Sequence, residues 1–327
     1  MSGIEAAGKM RILFMGTPDY ARVILESLYE SGEEIIGAVT QPDKPKGRGY
    51  KLTPSEVKVY ASEHGIPVFQ PTTMKDGAFA DTLAQLDPEM IVVAAYGKIL
   101  PPYILDYPKY GCINAHASIL PKYRGASPIQ RAIMDGERET GVTAMYMDAG
   151  LDTGDIILCE RVEIEENDNF ESVHDKLAAA GAKAILETVK LSKTGSVPRT
   201  KQNDAESTYA AKIGREDRII DFSANAKEVH DRIRALSPFP RAFTFLPDGK
   251  GLQITSSRLT DLETEDAPCG TVVKEDKNGF YVRCSDGLIL VTEVIPEGKG
   301  KMSAAEMNRG RRIAVGDVLR APEKTDE

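Results

Sequence analysis

The chain has 327 residues, of which 41% are hydrophobic and 28% are charged, a balance typical of soluble globular proteins. No apolar run approaches the roughly 18 residues of a membrane-spanning helix, and no N-terminal apolar segment resembles an export signal. The net charge of −9 argues against a generic nucleic-acid-binding protein, so that role would need a local basic surface. We therefore expect a cytoplasmic protein with room for two domains and no membrane partner.

The N-terminal half alternates between apolar strands and helices. Continuous apolar runs predict strands at residues 11–16, 34–40, 90–95, 111–117, 140–147 and 155–165. Between and after them, helices are predicted following Thr17-Pro18 with Pro18 in the first turn, within 51–64, and at 169–192. Strands that are apolar on both faces and alternate with helices indicate an α/β fold, here a Rossmann-like, mostly parallel sheet.

The pattern changes after the last of these helices. A helix is predicted at 225–236, followed by short strands near 242–246, 252–260, 270–274, 279–284 and 288–295. Asp-Gly pairs at 248–249 and 286–287 suit the turns, and Ser303 with Glu306 forms a capping-box pattern for a last helix. Short strands at this spacing favour a small antiparallel barrel of the OB type.

These changes in pattern divide the chain into five parts. They are a flexible extension at 1–9, an α/β domain at 10–193, a linker at 194–211, a β-barrel domain at 212–320 and a tail at 321–327. The four cysteines are scattered without a C-x-x-C pair, which predicts buried small side chains and no zinc site: Cys112, Cys159, Cys269 and Cys284.

Two polar residues interrupt the apolar strand at 111–117. Asn114 and His116 are two residues apart, so both side chains leave the same face of the strand. A hydrogen-bonded pair at a sheet edge would also explain them. The ligand crevice of an open α/β sheet, however, lies beyond the carboxyl ends of its strands, which is where this pair falls.

Two loops after strands carry further polar groups. Residues 150–155 hold Asp152 between two glycines, a pattern that a plain turn also explains. Residues 118–125 join an apolar Ile-Leu-Pro stretch to Arg124, a fork-shaped donor for a carboxylate or for backbone oxygens. Both loops follow predicted strands, so they are expected at the same crevice as the polar pair.

Together these motifs resemble the family of formyltransferases that use 10-formyltetrahydrofolate. The signature is Asn114-x-His116, then Ser-Ile-Leu-Pro-x-Tyr-Arg-Gly at 118–125, then Asp152 in a Leu-Asp-Thr-Gly setting. Ile119 is a mild departure, because the family usually has two leucines in this loop. Other stretches resemble the branch that acts on initiator tRNA; they begin at Met15, Gln41, Pro128 and Ser237.

The resemblance implies a site and a formyl donor. Asn114, His116 and Asp152 would be the catalytic residues, and 10-formyltetrahydrofolate would be the co-substrate, with no metal. The amide would stabilise an oxyanion, while the imidazole and the carboxylate would handle protons in an order that stays open. Two segments would line the folate pocket: Ser118, Ile119, Leu120 and Pro121, and Ala95, Tyr96 and Gly97.

A basic loop offers the local positive charge that an acidic protein would need to bind RNA. Residues 43–58 carry five basic side chains against Asp43 and Glu56, and glycines at 47 and 49 favour a mobile loop. The resemblance implies initiator Met-tRNA as the acceptor. The second domain would bind the phosphate backbone of the tRNA, and this loop would contact it through Arg48, Lys44, Lys46 and Lys51. We expect a monomer.

Three other functions remain open. The same chemistry could serve a small amine, such as a sugar nucleotide or glycinamide ribonucleotide, although a small acceptor needs neither the basic loop nor a second domain. A non-catalytic nucleic-acid-binding protein is disfavoured by the intact polar set, and folate hydrolysis would release formate without an acceptor. An NAD enzyme is disfavoured because Gly16-Thr-Pro-Asp lacks the G-x-G-x-x-G spacing.

The remaining histidines are expected to be surface or packing residues: His64, His174 and His230.

Overall fold

The computed structural model describes residues 8–46, 51–263 and 266–321. The helices, in chain order, are α1 (Asp19–Glu30), α2 (Glu56–Glu63), α3 (Ala80–Leu86), α4 (Pro102–Leu105), α5 (Pro128–Met134), α6 (Phe170–Thr194), α7 (Ala226–Ala235) and α8 (Ala304–Arg309). The strands are β1 (Arg11–Gly16), β2 (Glu34–Val39), β3 (Lys44–Lys46), β4 (Lys51–Thr53), β5 (Val68–Phe69), β6 (Met90–Ala94), β7 (Cys112–His116), β8 (Arg124–Gly125), β9 (Glu139–Tyr146), β10 (Ile156–Glu163), β11 (Tyr209–Ala210), β12 (Ala242–Phe245), β13 (Gly251–Leu259), β14 (Val272–Asp276), β15 (Gly279–Arg283), β16 (Leu288–Pro296) and β17 (Met302–Ser303).

The chain divides into two compact units. The first comprises the chain up to Gly125 together with Glu139–Val162 and His174–Tyr209. The second comprises Ala126–Arg138, Glu163–Val173 and the chain from Ala210 onward. Two segments that precede residue 193 thus group with the C-terminal part of the chain. The domain boundaries proposed from the sequence stay a prediction.

The first unit is built on a seven-stranded sheet in the order β10-β9-β7-β6-β1-β2-β5. The pairs from β7 across to β5 are parallel, whereas β9 runs antiparallel to β7. Central strands β1 and β6 are almost wholly buried, as expected for a sheet covered on both faces. The predicted α/β fold with a mostly parallel sheet is therefore confirmed.

Parallel pairing brings three strand ends to one edge of this sheet. Gly16 of β1 pairs with Ala94 of β6, and Val93 of β6 pairs with Asn114 of β7. Because these strands run in the same direction, the segments that follow them leave the sheet together. The polar residues of β7 and the segment after Ala94 consequently lie at the same crevice.

The start of α1 differs slightly from the sequence-based expectation. Pro18 is the N-cap residue, with an extended backbone at φ −82° and ψ −179°, and the helix begins at Asp19. The carbonyl of Pro18 accepts the backbone N–H groups of Ala21 and Arg22. Proline has no N–H to lose at this position, so it precedes the first helical residue without leaving a donor unpaired.

The cysteines only partly follow the prediction that all are buried. Cys112 and Cys284 are buried, and burial raises the pKa of each thiol to about 12. Cys159 is half-buried on β10, the edge strand of the first sheet, and Cys269 is exposed. The prediction was wrong for these two, because an edge strand and the turn before β14 leave a side chain open to solvent.

The second unit carries an antiparallel sheet in the order β12-β13-β16-β15-β14, with β17 added to β16. The chain near its C-terminal end bridges the sheet's two edges, since Arg320 pairs with Phe245 of β12 and Val318 pairs with Thr271 beside β14. Ser303 caps α8 in the predicted capping box with Glu306. A sheet-containing second domain is confirmed, while its assignment to the OB type stays a prediction.

None of the helices in the described part of the chain combines the length and apolarity that spanning a bilayer requires.

Candidate active site

Strand β7 presents two polar side chains from an otherwise apolar strand. Asn114 is half-buried, and the side chain of His116 is only 7% exposed. The strand is held on both sides, by β6 and by β9. Between the two polar residues, the buried hydroxyl of Tyr20 on α1 donates to the carbonyl of Ala115 at 3.2 Å. Both side chains are therefore positioned by a strand that is paired on both sides, and not by a loop.

The loop after β9 turns back so that Asp152 points toward β7. Asp152 has φ +55°, a left-handed conformation that is uncommon for a residue with a side chain. The carboxylate of Asp148 stabilises the loop by accepting from the Gly150 N–H and the Thr153 hydroxyl. A Cβ at Gly154 would lie 1.7 Å from the carbonyl oxygen of Tyr146, so only glycine fits where the loop rejoins the sheet.

Asn114, His116 and Asp152 converge on one point. The Nδ2 of Asn114 lies 3.5 Å from Oδ1 of Asp152, and Nδ1 of His116 lies 3.6 Å from the same oxygen. The second carboxylate oxygen, Oδ2, accepts the backbone N–H of Gly125 at 2.9 Å. The side chain of Asp152 is 12% exposed. An amide donor, an imidazole and a carboxylate thus share one largely water-excluded corner.

The hydrogen bonds of His116 determine its tautomer. The backbone carbonyl of Tyr123 lies 2.9 Å from Nε2, and since a carbonyl can only accept, Nε2 carries the proton. In the neutral ring, Nδ1 is then the unprotonated nitrogen, and it faces the carboxylate of Asp152. This nitrogen and the carboxylate oxygen are 3.6 Å apart.

A side chain from the predicted linker braces the Asp152 loop. The Nε2 of Gln202 donates to the carbonyls of Asp152 and Gly154, at 2.9 and 2.7 Å. Its Oε1 accepts from Nε and one terminal nitrogen of Arg124, at 3.1 and 2.8 Å, and Arg124 also pairs with Asp204 at 2.7 Å. The forked donor noted in the sequence therefore binds an amide and a carboxylate. Sequence reasoning missed Gln202, because nothing in the local pattern marks it.

The loop after β7 is hydrogen-bonded to β9. Thr143 accepts the backbone N–H of Leu120 at 3.1 Å and donates to the carbonyl of Ser118 at 2.7 Å. Ser118 and Leu120 are buried, whereas Ile119 and Pro121 are partly exposed. The segment expected to line the folate pocket thus follows His116 closely and is held in place by hydrogen bonds. Two of its side chains, Ile119 and Pro121, are partly exposed.

The second expected folate segment follows β6. Ala95 and Gly97 are exposed, with φ of +43° and +75°, while the side chain of Tyr96 between them is buried in the core. The backbone is therefore the accessible part of this segment. The carbonyl of Tyr96 accepts from Nε2 of Gln41 at 2.9 Å, and Oε1 of Gln41 accepts from Nζ of Lys44 at 2.6 Å.

The residues predicted to contact tRNA are only partly within the described chain. Arg48 lies outside the described residues. Lys44 is exposed, and the backbones of Lys46 and Lys51 pair across the antiparallel ladder of β3 and β4. The fifth basic residue of this region, Lys58, lies on α2 and forms an ion pair with Asp43 at 2.8 Å. Residues 44–46 and 51–53 of the basic loop therefore form a two-stranded ladder.

Within residues 8–46, 51–263 and 266–321, no group of three or more His, Cys, Asp or Glu side chains is arranged to hold a metal ion. The site around Asp152 presents an amide, an imidazole and a carboxylate, three groups suited to hydrogen bonding and proton transfer.

Comparison with known proteins identifies the class that this fold and site define. Residues 10–189 match the formyl transferase family model, and residues 212–312 match the model of the formyl transferase C-terminal domain. The chain belongs to the formyl transferase family.

Two relatives of high identity carry the same name. The chain is 46% identical over 310 residues to the methionyl-tRNA formyltransferase of Desulforamulus reducens, covering 95% of this chain and 98% of the relative. It is also 46% identical over 310 residues to the methionyl-tRNA formyltransferase of Bacillus subtilis, covering 94% and 97%. Each aligned span covers residues of both units.

Solved structures with the same fold are more distant in sequence. An N-formyltransferase from Helicobacter canadensis, in complex with folinic acid and dTDP-3-aminofucose, has a TM-score of 0.65 at 20% identity and covers 86% of this chain and 98% of its own. HypX from Aquifex aeolicus, in complex with tetrahydrofolic acid, has a TM-score of 0.64 at 16% identity, covering 92% and 47%. At these identities the likeness establishes the fold alone.

Proposed function

We propose that this chain transfers the formyl group of 10-formyltetrahydrofolate to the α-amino group of methionine on initiator Met-tRNA, for the initiation of protein synthesis. The observation that carries the proposal is the convergence of Asn114, His116 and Asp152 at the carboxyl edge of the sheet. Full-length identity of 46% to methionyl-tRNA formyltransferases supports the choice of acceptor. We further propose that the enzyme works in the cytoplasm as a monomer.

The reaction begins with attack of the amine on the formyl carbon. A free α-amino group has a pKa of about 7.7–8.0, so a useful fraction is neutral and nucleophilic near pH 7. Attack produces a tetrahedral carbon with a negatively charged oxygen, and the N–H of Asn114 Nδ2 donates to that oxygen. Removing one such preorganised donor typically costs about 10²–10³ in rate. Asn114 is suited to this role because strand β7 holds it without a mobile loop.

The reaction then moves one proton from the attacking nitrogen to the leaving nitrogen. Attack leaves the amine nitrogen positively charged, and Asp152 with Nδ1 of His116 would accept its proton. The imidazolium formed at Nδ1 returns the proton to N10 of the folate as the carbon–N10 bond breaks. The products are N-formylmethionyl-tRNA and tetrahydrofolate, so atoms and charges balance without another reactant. General acid–base help of this kind contributes about 10²–10⁴ in rate.

The fixed loop after β7 and the backbone after β6 are proposed to hold the folate. Ser118, Ile119, Leu120 and Pro121 would form the wall beside His116, and the exposed backbone of Ala95–Gly97 would meet the polar end of the pterin. The tRNA contacts are proposed at Lys44, Lys46, Arg48 and Lys51.

A small-amine acceptor is the alternative, since the N-formyltransferase solved with dTDP-3-aminofucose shares the fold. The experiment is transfer of labelled formyl from 10-formyltetrahydrofolate to initiator Met-tRNA, elongator Met-tRNA, an amino-sugar nucleotide and buffer alone. We expect efficient transfer to initiator Met-tRNA and weak transfer to the others. Preferred transfer to the sugar nucleotide, or formate release without an acceptor, would replace the proposed function.

A further inference from the structure

The outward face of strand β12 carries aromatic side chains in alternation with core residues. Ala242, Thr244 and Leu246 point into the core of the second unit and are buried. The intervening residues, Phe243 and Phe245, are only partly buried, and their rings meet edge to face with centroids 5.9 Å apart. Because side chains alternate along a strand, both phenylalanines lie on the outer surface of the sheet.

The loop before β12 adds a more exposed aromatic ring. Phe239 is 72% exposed, between two prolines. Its neighbour Arg241 has φ +74° and anchors the loop, because its Nε donates to the carbonyl of Pro238 at 2.9 Å and its guanidinium reaches Oε1 of Gln253 at 3.2 Å. The Phe239 ring thus contributes little to packing in the core. The hydrogen bonds of Arg241 nevertheless fix the backbone that exposes this ring to solvent.

A second arginine links the ring of Phe243 to the loop that carries Phe239. The guanidinium of Arg218 lies over the ring of Phe243, with its carbon 5.4 Å from the centroid, and its Nε donates to the carbonyl of Arg241 at 3.0 Å. Within the described residues, neither Arg218 nor Arg241 has a carboxylate within ion-pair distance. We call the surface formed by Arg218, Phe239, Arg241, Phe243 and Phe245 the β12 patch.

We propose that the β12 patch is an RNA-binding surface on which Phe239 stacks with an unpaired base of the tRNA substrate, while the two arginines attract the adjacent phosphates. The proposal rests on the proposed function for the identity of the RNA. Aromatic rings interleaved with cations are the combination that binds single-stranded nucleic acid, because every base has a π face and every linkage a negative charge. An unneutralised cationic patch on a chain of net charge −9 suits a polyanion better than a protein partner.

The test compares three substitutions at one exposed position. Phe239→Ala should raise the KM for initiator Met-tRNA about 5- to 100-fold, the range that stacking on one aromatic ring covers. The KM for the folate, kcat at saturating tRNA and the thermal midpoint should stay at wild-type values. Phe239→Leu, the matched control, keeps apolar bulk without a π face and should lose affinity like alanine, whereas Phe239→Trp should restore it.

Direct binding separates this proposal from the assignment of the reaction. Fluorescence anisotropy with labelled, uncharged initiator tRNA should show the same order, Trp and wild type tighter than Leu and Ala, whether or not formyl transfer is observed. Arg218→Gln should also lower the slope of log affinity against log salt by about one. Unchanged tRNA affinity in Phe239→Ala, or wild-type affinity in Phe239→Leu, would overturn the proposal; the second result would indicate apolar packing of the kind a protein partner uses. Wild-type tRNA binding without formyl transfer would instead count against the proposed function alone.

Discussion

Two buried histidines illustrate how differently the two units of this molecule use the same side chain. In the first unit, His116 has one ring nitrogen bound to the carbonyl of Tyr123, while the other faces the Asp152 carboxylate at 3.6 Å. In the second unit, His230 is 2% exposed, and partners without charge occupy both nitrogens: the Ser257 hydroxyl at 2.9 Å and the Glu166 carbonyl at 3.0 Å.

The difference shows how the surroundings distinguish the proposed proton carrier from a structural histidine. Burial favours the neutral ring of His230, and desolvation lowers its pKa below the usual value. His116 is almost as deeply buried, but one of its ring nitrogens faces a carboxylate instead of an uncharged partner. This geometry is why His116, and not His230, is proposed to move a proton.

The largest expected effect is loss of activity on substitution of the polar residues of β7, with the fold kept intact. We expect Asn114→Ala to lower kcat about 10²–10³-fold by removing the oxyanion donor. His116→Ala should lower it about 10²–10⁴-fold by removing the proton carrier. Single-turnover formyl transfer at saturating tRNA and folate measures both, with circular dichroism as the control for folding. A variant that retains half of the wild-type rate would remove that residue from the mechanism.

The second prediction concerns the structural histidine. His230→Ala should leave kcat near the wild-type value but lower the free energy of unfolding by about 1–3 kcal/mol, since it leaves the buried Ser257 hydroxyl without its partner. Urea denaturation measures the change. A loss of kcat as large as that of His116→Ala, in protein that is still folded, would contradict the distinction between the two histidines.

The third prediction tests whether the linker positions Asp152. Gln202→Leu removes both donations to the loop backbone, and small displacements of a catalytic group are costly, so kcat should fall about 10-fold. The KM for the folate should change little. Asn203→Ala is the matched control, because that side chain bonds only within its own turn. Equal kcat values for the two variants would show that the brace is dispensable.

The smallest expected effect is on pH dependence. Because the pKa of His230 is lower in the folded protein than in the unfolded chain, the unfolded chain takes up a proton first as the pH falls below about 6.5. The stability that the neutral ring contributes is thus present above that pH and lost below it. His230→Gln should flatten the decline of the unfolding free energy between pH 7 and pH 5, and an unchanged slope would assign the decline to other groups.

Local pattern was sufficient for much of the fold. The apolar runs predicted β1, β6 and β7 to within one or two residues, because strand burial follows directly from side-chain character. The last helix was predicted from its capping box, in which the Ser303 side chain accepts the backbone N–H of Glu306. Short elements such as β5 and α4 were missed, because two to four residues carry too little periodicity to stand out.

The candidate site shows the same division. The sequence by itself determined that β7 would carry an amide and an imidazole on one face, because the period of a strand is a local property. Only the tertiary structure decided that Asp152, 38 residues after Asn114, would turn through a left-handed backbone to meet them, and that Gln202 would hold it there. It also decided which nitrogen of His116 binds the Tyr123 carbonyl and which one faces the carboxylate. Such convergence depends on strand order and loop conformation, which arise from the packing of distant segments and leave no periodic signature in the chain.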